Sequence, residues 1–110
     1  MLQECMTFES RVSSAEIDAL GERIAKAAAT VDLAKHQLLT DIRAFDQVGG
    51  WHRHGARSCA AWLSWRIGLS LGSAGEHVRV AKRLGELPAI DAAMAAGQLS
   101  YSKTRAISVP

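Results

Sequence analysis

Five cations in the back half of the chain, Arg79, Lys82, Arg83, Lys103 and Arg105, have the residue types that nucleic-acid contact requires. Positions 82 and 83 follow 79 by three and four residues, so a helix would carry all three on one side. Guanidinium and ammonium groups donate to phosphate oxygens, and an arginine fork also fits the guanine edge in the major groove. Most contacts of this kind go to phosphate and carry no sequence information. The same five side chains equally suit a solvated outer face with no partner. Other chemistry is thinner. His52 and His54 alternate, with Cys59 and His77 further on, but no C-x-x-C or H-x-x-x-H pair accompanies them. Zinc needs three or four convergent ligands, so they read as exposed loop histidines in a basic strip. There is no G-x-S-x-G, no phosphate-cradling loop ending in GK[ST] and no dinucleotide-binding glycine fingerprint. Asp41 stands alone as a candidate carboxylate and reads better as a polar interruption of a helix seam. No catalytic residue, metal site or cofactor is assigned, and this chain is expected not to be an enzyme.

Helices must position these residues. Ser13 to Glu16 has the form of a capping box, a Ser oxygen for free backbone N–H groups and a Glu three residues on. From there no proline occurs before Pro88, and no glycine pair before Gly49-Gly50. Apolar residues recur every seven positions at Ile17, Ile24, Val31, Leu38 and Phe45. A second series, Leu20, Ala27, Ala34, Asp41 and Val48, runs three residues behind. That is a heptad seam broken only at Asp41. The spacing predicts one helix over 14–48, about 52 Å long at ~1.5 Å per residue. Its seam should meet either a second chain, as a homodimer, or more of the same polypeptide. Residues 1–13 read as disordered.

Over 49–110 the punctuation predicts short helices. Gly49-Gly50 stops the long helix, and residues 51–55 read as a loop. Ser58 caps a helix to Ile67, and Gly68 ends it. Ser70 or Ser73 starts the next, with Ser73-Ala74-Gly75-Glu76 as a second capping box, and it runs to Glu86. Its inner face should be Ala74, Val78, Ala81 and Leu84, helped by Val80 at the edge, and its outer face Arg79, Lys82, Arg83 and Glu86. Pro88 opens a fourth helix ending at Gly97, and Ser100 a fifth carrying Lys103 and Arg105. No strand pattern appears, so the fold class is all-α. Helix, glycine turn, helix occurs twice, around Gly68 and Gly97, as in helix-turn-helix modules.

Charge is divided unevenly. Residues 1–50 hold five Lys/Arg against eight Asp/Glu, a net of −3; residues 51–110 hold eight against three, a net of +5. A basic back half fits an anionic partner such as duplex DNA. No apolar run is long enough to span a bilayer and the start lacks the layout of a signal peptide, so no membrane partner is expected. Cys5 and Cys59, far apart, read as reduced thiols of a cytoplasmic protein. Nineteen alanines, nine Arg to four Lys and no Asn suggest a GC-rich genome.

From Gly50 onward the chain resembles the N-terminal domain of the actinobacterial 13E12 repeat proteins, also called domain of unknown function 222. GWHRHGARSCAAWLSWRIGLSLGSAGEHVRVAKRLGELP and AGQLSYSKTRAIS carry the likeness. It is strong over 49–108 and fair over the preceding helix. Matching positions are Trp62, Arg79, Val80, Ala81, Leu84, Leu87, Pro88, Gly97, Ser100, Tyr101, Ser102, Lys103 and Arg105. The resemblance implies a helical front part of a longer, mobile-element-related protein with an HNH endonuclease domain at its C-terminus. There a His would activate water beside a divalent metal. None of those nuclease residues maps onto this chain, which has no Asn. It departs from the family pattern at Ile107-Ser108-Val109-Pro110, where a basic helix would continue.

Overall fold

The structure is a computed structural model that describes residues 12–108, and all of its regular elements are helices. They are α1 (Ser14–Gln47), α2 (Gly50–Arg53), α3 (Cys59–Ile67), α4 (Leu71–Glu86), α5 (Pro88–Ala95) and α6 (Tyr101–Ile107). No strand occurs among the described residues. The expected disorder of 1–13 falls, up to residue 11, outside them. The chain divides into two units, Met1–Val31 and Asp32–Pro110, with α1 contributing to both.

In the first unit, Ser13 caps α1 as its spacing predicts: the Glu16 backbone N–H donates to Ser13 Oγ at 3.1 Å. From Ser13 to Val31 every residue is exposed. The apolar stripe is therefore uncovered, with Ile17 56%, Ile24 70% and Val31 62% exposed.

The second unit has a core. It is built from Leu39 and Ile42 of α1, Cys59 and Leu63 of α3, Ala74, Val80, Ala81 and Leu84 of α4, and Met94 of α5. Burying a side chain such as Leu39 contributes about 1.5–3 kcal/mol. The α1 residues in this core are not those of the predicted seam. Leu38 and Phe45 are only partly buried and Asp41 is exposed, while Leu39 and Ile42 are fully enclosed. The reason is geometric. A helix packed against several others buries a face more than 100° wide, centred where the neighbours lie, and not the narrow seam of a two-stranded coil.

Capping places the boundaries. Ser58 and Ser70 accept from Ala61 N and Ser73 N at the starts of α3 and α4, and Ser100 from Lys103 N at the start of α6. Ser70 is thus the cap of α4, and Ser73, already inside the helix, is no second capping box. Gly68 and Gly97 both adopt the left-handed conformation after α3 and α5. Between α1 and α2, Gly49 has φ +66°, a turn that other residues resist. Its neighbour Gly50 lies against the Phe45 ring so closely that a Cβ would strike it. Residues 50–53, which the sequence reads as a loop, form α2.

Candidate nucleic-acid interface

Of the five cations singled out by type and spacing, three sit on α4. Each of the three faces a carboxylate. Arg79 grips Glu76 with Nε–H donating to Oε1 at 2.8 Å, and its NH1 also donates to the Ser108 carbonyl at 2.7 Å. Lys82 Nζ lies 3.3 Å from Asp46 Oδ2 of α1. Arg83 NH1 is 2.6 Å from Glu86 Oε2, while its buried Nε has no partner among the described residues. Lys103 and Arg105, on α6, are exposed and enter no ion pair among the described residues. Arg79 and Arg105 both bear on one carboxyl. The Arg79 hydrogen bond first, then the charges of Arg79 and Arg105, hold Glu76 below its ordinary range. Lys82 is directed elsewhere, toward α1.

The inner face of α4 differs from the predicted one at three positions. His77, 4% exposed, and Val80, fully buried, belong to the core, whereas Val78 is half-buried. His77 is satisfied there. Its Nδ1 lies 2.7 Å from the Ser73 carbonyl and its Nε2 3.1 Å from Lys35 Nζ. An ammonium only donates, so Nε2 accepts and Nδ1 carries the proton. Tyr101 stacks on the ring at 4.9 Å, and Lys35 Nζ lies 4.9 Å from the centre of the tyrosine ring. Burial, then the Glu76 charge, raises the Tyr101 hydroxyl pKa. Sequence reasoning passed over Lys35, His36 and Asp46. They tie α1 to its neighbours, His36 through a 2.8 Å contact to Asp91 and Asp46 through Trp51 Nε1 at 3.1 Å. A usable signal existed for His77, because 74, 77, 81 and 84 have core spacing.

The remaining polar candidates do not converge. His54 Nδ1 accepts from Trp62 Nε1 at 2.9 Å, His52 is exposed, and Cys59 is buried. Burial first, then Asp46, pushes the Cys59 thiol up to about 11, which makes it a poor ligand and nucleophile. Among the described residues no three His, Cys, Asp or Glu side chains gather in a way that would hold a metal ion. The metal chemistry implied for an HNH portion therefore has no seat among them. No described helix is long and apolar enough to cross a membrane.

A different cationic stretch emerges around α2 and α3. Between Asp46 and Glu76 there is no acidic residue, while Arg53, Arg57 and Arg66 are present. All three are exposed and unpaired among the described residues. Arg57 lines an open groove of about 410 Å³ together with His54, Gly55, Ala56, Ala61 and Trp65. Trp65 is 74% exposed.

Fold and surface together define an all-helical module with polar ties between its helices. The sequence model of the domain of unknown function DUF222 matches residues 18–109, and the chain belongs to that family. No curated protein and no solved structure matches it.

Proposed function

We propose that this chain is a non-catalytic helical module of a longer HNH-nuclease-like protein and that it acts by association. Its first association is with a second copy of itself, through the first half of α1. One observation carries the reading: on heptad spacing, Ile17, Leu20, Ile24 and Val31 are between 46% and 70% exposed. Neighbouring β-branched residues at one seam position with Leu at the other favour two-stranded parallel coils. In such a pair Glu16 would face Gly21 and Arg23 would face Ala28, so no like charges oppose each other. Light scattering over a concentration series tests this. A dimer that Ile17→Glu with Ile24→Glu converts to monomer is expected, and a parent chain still monomeric at ~100 μM overturns it. Both positions are exposed, so the variant keeps its fold.

Association with nucleic acid is a second reading, favoured by the acid-free stretch between Asp46 and Glu76. On α4 the cations answer internal carboxylates, which leaves Lys103 and Arg105 as the outward charges of the original five.

A further inference from the structure

We propose that the groove between the α2–α3 turn and the outer face of α3 binds unpaired nucleotides, with Trp65 as the stacking platform and Arg57 as the phosphate contact. The inference rests on the nucleic-acid reading and places it on residues outside the five cations chosen from sequence. Ala61 and Trp65 are four residues apart on α3 and therefore share a side. Arg57 approaches from the segment before Ser58, and Gly55 and Ala56 form a wall without bulky side chains. The floor is small and the indole is uncovered, which leaves room for a flat ring to lie against it.

Charge and chemistry select the occupant. An exposed indole alone is unremarkable on a surface. Here it lies beside an unpaired guanidinium, in a run from 47 to 75 that holds three Arg and no acid. An acidic peptide would be met by the arginines, but its carboxylates and any aromatic ring sit on separate side chains. Nucleotides supply both a planar face and a phosphate at adjoining positions, and stacking tolerates any base. Bases inside a duplex are covered on both faces, so the partner is single-stranded or locally opened. His54 adds a donor. Its Nδ1 is occupied by Trp62 Nε1–H, so in the neutral ring Nε2 carries the proton and has no partner among the described residues. Arg53 and Arg66, exposed at either end of the stretch, extend the positive surface along which a strand would run.

Fluorescence anisotropy with a labelled thymidine oligonucleotide of about 12 nucleotides at about 50 mM salt tests the site. Trp65→Ala is expected to weaken binding about 5- to 100-fold, the range for loss of one stacked base, while Trp65→Phe retains most of it. Arg57→Ala should weaken it and make the slope of log affinity against log salt shallower by about 0.7. A duplex of the same length should bind more weakly than the single strand. Circular dichroism confirms that each variant folds, and the exposure of both side chains makes unfolding an improbable confounder. Unchanged affinity in both alanine variants overturns this site but leaves nucleic-acid association standing at another. Absence of binding to either oligonucleotide overturns both. Tighter binding to anionic lipid vesicles than to the single strand overturns the choice of occupant.

Discussion

Two surfaces of the second unit carry arginines at similar density, and they differ in what those arginines face. On α4, Glu76 precedes Arg79 by three residues and Glu86 follows Arg83 by three, so each guanidinium finds a carboxylate one helical turn away. Lys82 reaches Asp46 on α1. Along α2 and α3 no carboxylate is near in sequence, and Arg53, Arg57 and Arg66 stay unpaired among the described residues. Formal charge and available charge are thus separate quantities. A cation that already donates to an internal oxygen must give up that contact before it can hold a phosphate, whereas an unpaired one gives up only water. The first kind contributes to the fold and the second to binding.

The sharpest way to break this comparison is to remove one arginine from each surface and measure stability in urea. Arg79 donates to Glu76 and to the carbonyl of Ser108, a residue that is fully buried. Hydrogen bonds from a charged donor contribute about 1.5–3 kcal/mol each, less where water screens them, so Arg79→Ala should cost about 1–3 kcal/mol. Arg57→Ala should stay within about 0.5 kcal/mol. Equal costs would mean that the two surfaces do not differ in the way described.

A smaller effect lies in the acid limb. Glu76 has a folded pKa below its ordinary 4.5, first because Arg79 bonds it and further because the charges of Arg79 and Arg105 are near. A depressed carboxyl pKa contributes stability that is fully present above 4.5 and fades as pH falls through the folded value. Glu76→Gln has no such proton to take up. Its stability should therefore be lower than the parent's at neutral pH and decline less steeply below 4.5. Urea midpoints collected from pH 7 down to about 3 would show it, and parallel curves for parent and variant would contradict the assignment.

Much of this was legible in the residues. Ser13, Ser58 and Ser100 cap the helices their spacing assigns them, and Gly68 and Gly97 end the helices before them. These are local rules, each settled within one turn of chain. The register of the α1 core was not legible. Leu38 and Leu39 are adjacent leucines, and only the placement of α3 and α4 decides that Leu39 is enclosed while Leu38 is at the margin. Nor was α2, a four-residue helix with no side-chain cap to announce it. The pairing of Arg79 and Arg83 is visible in the sequence, since each has an acidic residue three positions away, and a net charge taken over half the chain hides it. The exposure of Trp65 follows from which side of α3 the core occupies, since Cys59 and Leu63 are the residues it buries.

Lys82 marks the boundary of the comparison and carries the smallest expected effect. Its side chain is 63% exposed, so solvent screens its pairing with Asp46 and the pair is worth about 0–1 kcal/mol. Asp46 keeps a second partner in Trp51 Nε1, so losing Lys82 strands no buried group. Lys82→Ala should consequently lower stability by under about 1 kcal/mol and change oligonucleotide affinity less than about twofold. The same lysine lowers the Cys59 thiol against the opposing effects of burial and Asp46. Its removal should therefore leave Cys59 even less reactive toward maleimide in a Cys5→Ser background. If Lys82→Ala instead weakened oligonucleotide binding as much as Arg57→Ala, the α4 surface would be delivering charge to a ligand despite its internal partner. The division between structural and available cations would then fail at the residue where pairing is loosest.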